Sequence, residues 1–306
     1  MRSRLWFLNF DADDELSRPA GYRTPRAVLA RFAELSRRVE GLVPAGDHIL
    51  AEWQEGTSSA AARPAETEEI VEGHAFCPTP RAIAALRREG ATPVAAPSLD
   101  VLCRVNHRAF CASLGQTLAD AQFVRTREEL EATLSRRRGP WILKRAFGYA
   151  GKGRALLRGG ALEDWSAAFA RISLESGEGL QVEPWVDRRL DVGLHGFLSR
   201  RGELTLGDPT RVTVDARGTW QKSEVLRGDC LSTSDRAALS VEAHSVAAAL
   251  AQAGYFGPFG IDAFTYADEH GAMRFNPRSE INARYSMGWA IGMGSRRPDL
   301  RSEFVE

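Results

Sequence analysis

The sequence has little of what marks nucleic-acid-binding, membrane or secreted proteins. Among its 306 residues, Lys plus Arg and Asp plus Glu number 40 each, so no net charge favours a polyanion. The chain has no run of 18 or more apolar residues, and its first residues, MRSRLWFLNF, show no signal-peptide pattern. We therefore expect a soluble, cytoplasmic protein with neither nucleic acid nor a membrane as its partner.

The sequence also lacks the spacings that are typical of zinc sites and disulfide frameworks. Its four cysteines show no CxxC spacing, and its six histidines form no HxxxH or HExxH pattern. Isolated cysteines in a chain of this length are typical of small buried apolar residues. We expect that role for the four cysteines, which are Cys77, Cys103, Cys111 and Cys230.

No GxGxxG motif follows the first predicted strand, where NFDADDEL stands instead, and this argues against a nicotinamide dehydrogenase. Strand and helix patterns nevertheless alternate through residues 1–105, which predicts a small parallel α/β domain. The predicted strands are 5–10, 48–53 and 73–77 with a short fourth strand after residue 90, the predicted helices are 24–42 and 80–90, and 56–69 is predicted to be a loop or weak helix.

Two further units are predicted after residue 105. Residues 106–180 predict a small α+β unit with a helix that opens on a capping box, Thr126 and Glu129. Residues 181–306 predict long strands joined by glycine-containing turns, which is typical of a largely antiparallel sheet. Strands are expected at 180–186, 191–198, 204–214, 258–266 and 272–281, and a helix at 234–253.

A glycine-rich segment, PWILKRAFGYAGKGRALL, lies between two strand-like runs at 140–157. Glycines allow backbone N–H groups to approach an anion closely, and lysines supply positive charge, so one interpretation is a phosphate-binding hairpin. The alternative is a tight hairpin with solvated charges. The segment is not a P-loop, because no Ser or Thr follows its Gly-Lys pair. The residues concerned are Lys144, Gly148, Gly151, Lys152 and Gly153.

A second informative segment is GPFGIDAFTYADEHGAMRFNPRSEINARYSMG. Asp262 lies in an apolar strand pattern, and Glu280, Asn282 and Arg284 alternate along the next strand, which puts these three on one sheet face. Carboxylate and amide oxygens are the ligands that Mg²⁺ prefers, and an arginine beside them can neutralise charge on a transferring phosphoryl group. A solvated strand edge is the alternative interpretation.

A third segment, LQVEPWVDRRLDVG, places Glu183 at the end of one predicted strand and Asp191 at the start of the next. Together and in this order, the three segments resemble the ATP-grasp superfamily over about residues 106–290. The first hundred residues look like the domain that precedes this fold. The family holds ATP between two α+β units, and most members activate a carboxylate as an acyl phosphate that an amine or another nucleophile attacks.

The resemblance implies a fold, an activity and a set of ligands. It implies the α/β and α+β architecture of an ATP-grasp protein and an ADP-forming carboxylate–amine ligase that uses ATP with Mg²⁺ or Mn²⁺. Its substrates would be small-molecule or peptide carboxylates and amines. A homodimer is compatible with such a chain, although no sequence feature fixes the oligomeric state.

The resemblance also implies roles residue by residue. Lys144 and the glycine-rich flap would bind the phosphates, together with Arg108, which stands where the family has a lysine. Asp262, Glu280 and Asn282 correspond to the metal ligands, and Lys144 and Arg284 would act in catalysis. The nucleotide-binding set is Arg108, Lys144, Gly148, Gly151, Lys152, Gly153, the adenine hinge at Glu183, Trp185 and Val186, the ribose-binding Asp191, and Lys222.

Several alternatives stay open. Lys222 is as consistent with a solvated strand lysine as with a phosphate ligand. The segment FNPR also resembles the end of the family's Glu-x-Asn-x-Arg signature, but it would place Arg274 where a carboxylate ligand belongs. We therefore prefer EINAR, which requires a longer hairpin or a bulge after Asp262. Because Arg108 and Arg145 depart from the family pattern, a regulatory ATP-binding protein and a phosphotransferase of the same fold are alternatives to a ligase.

Overall fold

The structure is a computed structural model in which three β-sheets and their helices surround one cleft. No helix in its described part combines the length and the apolar character needed to cross a membrane. The residues that it describes are 4–18, 20–39, 41–50, 71–148, 153–215 and 218–301.

The N-terminal part of the chain forms a sheet with helices beside it. Its elements are β1 (Arg4–Phe7), α1 (Ala12–Ser17), α2 (Arg26–Arg38), β2 (His48–Leu50), β3 (Glu72–Ala75), α3 (Pro80–Arg88) and β4 (Thr92–Pro93). The strand order is β2-β1-β3-β4 and every pair is parallel, which confirms the predicted parallel α/β layer. Helix α1 was not predicted, and the predicted loop at 56–69 lies outside the described residues.

The second sheet is antiparallel, with strand order β5-β8-β6-β7. Thr126 and Glu129 form the predicted capping box at the start of α6. The strands on either side of the glycine-rich segment, β6 and β7, pair antiparallel, and residues 149–152 between them lie outside the described residues. The elements of this part are α4 (Leu99–Asn106), α5 (Arg108–Ser113), β5 (Gln122–Val124), α6 (Arg127–Leu134), β6 (Trp141–Arg145), β7 (Arg154–Leu157), α7 (Asp164–Glu175) and β8 (Leu180–Pro184).

The third sheet is formed by the C-terminal part of the chain. Its elements are β9 (Asp187–Leu198), β10 (Leu204–Leu206), β11 (Thr210–Val214), β12 (Trp220–Val225), α8 (Thr233–Gln252), β13 (Gly257–Ala267), β14 (Met273–Asn282) and α9 (Trp289–Met293). The order is β12-β11-β9-β13-β14 with β10 on β9, and all pairs are antiparallel, as predicted. The strand expected at 204–214 is two strands, and β12 was not predicted.

The third sheet has one apolar face, because side chains alternate along each strand. Alternate residues of β9, β13 and β14 pack against α8, where Leu239 and Val246 are buried. The opposite face is therefore left for polar side chains. The sheet residues on the apolar face include Val192, Leu194, Ile261, Ala263 and Ile281.

Aromatic side chains join the first unit to the residues that follow β14. Trp6 stacks on His74 with ring centroids 4.6 Å apart, and its ring lies 5.7 Å from that of Tyr285. Tyr285 in turn contacts Trp289 edge-on at 4.9 Å. Since the rings of Trp6, Tyr285 and Trp289 share one hydrophobic core with Phe32, the parallel sheet and the C-terminal sheet are packed together.

The cysteines agree only in part with the expectation of burial. All four are free thiols, and Cys77 is fully buried. Cys103 and Cys111 are partly buried, whereas Cys230 is exposed. The prediction was wrong for Cys230 because this residue ends a short 3-10 turn, Gly228–Cys230, that has no buried residue.

Two glycines before β8 provide a matched test of backbone packing. Gly177 and Gly179 both have φ of +80°, but a Cβ on Gly179 would lie 2.7 Å from the Val124 carbonyl oxygen, and one on Gly177 would meet nothing within 4 Å. We expect Gly177→Ala to cost about 1 kcal/mol from the left-handed backbone alone. Gly179→Ala should cost about 2 kcal/mol more because of the clash. Urea unfolding of both variants checks this, and equal losses would contradict it.

Candidate active site

A cleft of about 590 Å³ lies where the three sheets meet. The second sheet contributes Lys144 and the hairpin glycines, and the third sheet contributes its polar face. The first unit closes one end with Phe32 and Phe76. The predicted site residues that line the cleft are Arg108, Lys144, Gly148, Gly153, Trp185, Val186, Asp191, Asp262, Glu280, Asn282 and Arg284. Gly151 and Lys152 lie outside the described residues.

Lys144 is held at the end of β6 by an ion pair. Its Nζ donates to Glu183 Oε2 at 2.7 Å, and both side chains are largely buried. The pair is formed because β6 and β8 are neighbours, with Ile142 opposite Glu183. Arg145, at the position where the family has proline, places its guanidinium 4.9 Å from the ring centre of Phe169. The carboxylate of Glu183 therefore holds Lys144 at the cleft, although Glu183 itself does not line the cleft.

The segment after β8 passes along the cleft and exposes one large ring. The Trp185 side chain is 45% exposed at the cleft wall. Its backbone N–H already donates to the Pro140 carbonyl at 2.9 Å, so this N–H is not available to an adenine edge in this conformation. Asp191 lies on β9 and accepts a hydrogen bond from Arg188 at 3.2 Å.

Arg108 connects the hairpin to the C-terminal sheet. Its Nη2 donates to Glu280 Oε1 at 2.7 Å, and other guanidinium N–H groups donate to the carbonyl oxygens of Arg145 and Gly148. The buried Nε has no partner among the described residues. Arg108, a predicted phosphate ligand, is thus hydrogen-bonded to Glu280, a predicted metal ligand. This contact joins two segments that are 172 residues apart in the sequence.

Asp262, Glu280 and Asn282 lie on adjacent strands of the polar face. Asp262 is opposite Glu280 in the β13–β14 ladder, and Asn282 Nδ2 donates to Asp262 Oδ2 at 3.2 Å. Burial, followed by the charge of Glu280, raises the pKa of Asp262 to about 7. Burial acts to raise the pKa of Glu280 as well, but Arg108 and Lys144 outweigh it, so that this pKa is lowered.

This donor set fits a magnesium ion. Two carboxylates and one amide supply only oxygen ligands, and a divalent cation would offset the repulsion that raises the pKa of Asp262. Within the described residues, no group of three or more His, Cys, Asp or Glu side chains is arranged to hold a metal. A magnesium site formed by Asp262 and Glu280 therefore needs the amide oxygen of Asn282 as its third protein ligand.

The two segments that could carry the family signature, EINAR and FNPR, lie in different parts of the structure. The pairing shifts between Asp262 and Phe264, so β14 carries the extra residues that the EINAR register requires. Arg278 of FNPR is buried, and it donates to Glu242 and to the Cys111 carbonyl away from the cleft. Arg274 pairs with Asp268 at 2.9 Å, also away from the cleft. The cleft is lined by the EINAR residues.

Arg284 follows the end of β14 and is bound by helix α1. Its Nη2 and Nε donate to the two carboxylate oxygens of Asp13 at 2.6 and 3.4 Å, and Nη1 donates to the Tyr285 carbonyl. Arg284 is 8% exposed and Asp13 is 4% exposed. Sequence analysis missed Asp13, because nothing local in NFDADDEL indicates a partner 271 residues away.

Lys222 is not brought to the cleft, so this part of the nucleotide-binding set is corrected. On β12 it lies opposite Thr213, whereas Ser223 lies opposite Val212 and lines the cleft. Alternation therefore turns Lys222 to the other face, where it pairs with Glu224 at 3.0 Å. Its side chain is 59% exposed.

His195 is a cleft residue outside the set of predicted site residues. Asp191, Gly193 and His195 are every second residue of β9, so the side chains of Asp191 and His195 lie on one face of the sheet. The same period of two that places Glu280 and Asn282 on one face could therefore have identified His195. Its Nδ1 lies 3.2 Å from Ser286 Oγ, and a Cβ on Gly193 or Gly260 would lie 3.1 Å from its ring. Burial lowers the pKa of His195 to about 4, so the imidazole is neutral at pH 7.

Comparison with solved structures identifies the fold. A biotin carboxylase from Campylobacter jejuni, crystallised as a β-γ-ATP complex, matches 73% of this chain with a TM-score of 0.55 and 15% identity. D-alanyl-alanine synthetase A from Vibrio cholerae O1 biovar eltor matches 99% of this chain, with a TM-score of 0.53 and 13% identity. The chain has the ATP-grasp fold. This confirms the fold class that was inferred from the sequence.

A third ATP-grasp structure covers most of the chain. N5-carboxyaminoimidazole synthetase from Staphylococcus aureus, complexed with ADP, matches 93% of this chain with a TM-score of 0.50 and 13% identity. The chain spans 50% of the C. jejuni protein, 94% of the V. cholerae protein and 71% of the S. aureus protein. No protein-family model matches the sequence, and no curated protein matches it.

The buried Asp13–Arg284 pair should contribute far more to stability than an exposed pair. Asp13→Asn leaves a buried guanidinium without its counter-charge, and we expect a loss of about 3 kcal/mol. The control is Glu175→Gln, which removes the exposed Arg171–Glu175 pair and should cost less than about 1 kcal/mol. Denaturant unfolding measures both, and a similar loss in the two variants would be evidence against this role of Asp13.

His195 should make stability depend on pH. The unfolded state binds a proton near the ordinary pKa of 6.5, whereas the folded state binds it only near pH 4. The contribution of His195 to stability should therefore fall as the pH drops from about 6.5 to about 4, by about 3 kcal/mol. His195→Gln should lose this part of the dependence, and His270→Gln, at an exposed histidine, should keep it. Identical pH profiles for the two variants would refute the assignment.

Proposed function

We propose that the chain is a Mg²⁺–ATP-dependent ligase that activates a carboxylate as an acyl phosphate and joins it to an amine. One observation carries the proposal. Cations from β6 and α5 converge on the same cleft as the oxygen ligands of β13 and β14 and the guanidinium that follows them. The residues are Arg108, Lys144, Asp262, Glu280, Asn282 and Arg284.

The fold supports the same class. The S. aureus structure is a synthetase complexed with ADP, and the V. cholerae structure is a D-alanyl-alanine synthetase. We propose that ATP lies between the second and third sheets, with its base beside Trp185 and Val186 and its ribose near Asp191. The flap residues Gly148, Gly151, Lys152 and Gly153 would cover the phosphates. We also propose the units 1–105, 106–180 and 181–306, with β8, which pairs within the second sheet, lying across the boundary at 180.

The reaction consists of two displacements. A carboxylate oxygen of the substrate attacks the γ-phosphorus of ATP, the bond to the β-phosphate oxygen breaks, and ADP leaves. The amine nitrogen then attacks the acyl carbon, the carbon–oxygen bond to phosphate breaks, and the nitrogen loses a proton. The products are an amide, ADP and phosphate, and no side-chain nucleophile is needed.

The residues of the cleft act by position and charge. Lys144 and Arg108 bind phosphate oxygens, and Glu183 keeps Lys144 in place. Mg²⁺ held by Asp262, Glu280 and Asn282 would supply charge neutralisation for the β- and γ-phosphates. Arg284, oriented by Asp13, stabilises negative charge on the acyl phosphate and on the tetrahedral species formed from it.

A carboxylate-to-amide change at Glu280 tests the proposal. With ATP, magnesium and a pool of amino acids and small carboxylates, the parent should release phosphate in a substrate-dependent way. Glu280→Gln should lower the rate about a hundredfold or more, because it removes a charged metal ligand. Glu224→Gln, at an exposed residue outside the cleft, is the matched control and should retain the parent rate.

Three outcomes decide between the activities. A joined product identified by mass spectrometry supports the ligase, whereas an accumulating phosphorylated product favours phosphotransfer. ATP binding without any turnover favours a regulatory role. Absence of ATP binding by calorimetry would end the proposal altogether.

A further inference from the structure

The end of the cleft closed by the first unit has an apolar wall. Val28, Phe32 and Leu35 line it from α2, and their spacing puts them on one face of that helix. Phe10 and Phe76 lie behind them, with ring centroids 5.0 Å apart. The phenylalanines are nearly covered, so the half-buried Val28 and Leu35 supply accessible apolar surface, and the exposed Arg31 lines the cleft from the same helix.

The third sheet and the residues after β14 form a polar side opposite this wall. Ser286 and His195 lie within 3.2 Å of each other there, and Ser223 accepts a hydrogen bond from the Trp220 indole. Helix α2 is fixed beside β12 because Arg38 donates to the Gln221 side chain at 2.7 Å. The two sides therefore belong to one enclosed end of the cleft.

Arg284 lies where the polar side meets the apolar wall. Its guanidinium carbon is 5.6 Å from the centre of the Phe76 ring. Of the five N–H groups of an arginine, three donate to Asp13 and to the Tyr285 carbonyl, and the others make no hydrogen bond within the described part of the chain. A ligand whose carboxylate is bound by Arg284 would thus have its remaining atoms beside Phe76 and the apolar wall.

We propose that this end of the cleft binds a small carboxylic acid with an apolar side chain, and specifically an amino acid with a branched aliphatic or aromatic side chain. Its carboxylate would lie at Arg284, its amino group on the polar side, and its side chain against α2. The inference rests on the proposed ligase function for the reaction and on the shape of this cleft end for binding.

The chemistry of the wall discriminates against polar side chains. A cationic or polar uncharged side chain placed against Val28 and Leu35 would lose hydration without gaining a partner from them, and Arg31, which lines the cleft on the same helix, would repel a cation. A hydrophobic side chain would bury apolar surface, and pockets of this kind change affinity by about tenfold or more for small changes in the apolar group.

Calorimetry with the full chain tests the inference. In the presence of magnesium and a non-hydrolysable ATP analogue, L-leucine, L-isoleucine and L-phenylalanine should each bind at least about tenfold more tightly than L-asparagine, L-lysine or L-serine. Phosphate release with ATP is measured for the same six amino acids.

A matched pair of variants on α2 locates the binding surface. Leu35→Asn should weaken binding of L-leucine about tenfold and raise its KM with little change in kcat, because the side chain contacts the substrate but not the reacting atoms. Leu29→Asn is the control, since Leu29 is half-buried against the same core but does not line the cleft. It should leave the affinity unchanged.

The outcomes separate this inference from the proposed function. Binding of the apolar amino acids without phosphate release would refute the ligase and leave the binding site supported. Phosphate release with a polar amino acid or another acid, without binding of the apolar ones, would overturn the inference and leave the ligase standing. Equal weakening by Leu35→Asn and Leu29→Asn would also overturn it.

Discussion

The alternation of side chains along β9, β13 and β14 is the constraint on which the rest of the molecule depends. One set of residues forms the core with α8, and the set between them forms the floor of the cleft. Because the period is two, the apolar residues that stabilise the sheet also fix the direction of Asp262, Glu280 and Asn282. A shift of one residue in the register would bury the carboxylates against α8 and expose the core.

Features that depend on local pattern could be predicted from the sequence. The alternation of Glu280 with Asn282, the capping box at Thr126 and the glycine hairpin after Lys144 each occur within a few residues, so their geometry follows from backbone periods and turn chemistry. The fold class followed from the order of such segments. Their roles as ligands of nucleotide and metal are the content of the proposal.

Contacts between distant segments could not be predicted in this way. Nothing near Asp13 indicates that it faces Arg284, and nothing near Arg108 indicates that it bonds to Glu280. The alternatives for Lys222 stayed open for a related reason, because its direction is set by the pairing of β12 with β11, in which Ser223 and not Lys222 faces the cleft. In each case the partner is chosen by tertiary packing, which a single sequence does not display.

The span between Asp13 and Arg284 has a consequence for biosynthesis. These residues are 271 positions apart, so during translation the acid emerges long before the guanidinium that it will hold. Until then helix α1 carries a water-exposed carboxylate rather than half of a buried pair. The cleft therefore cannot be completed until Arg284 has left the ribosome.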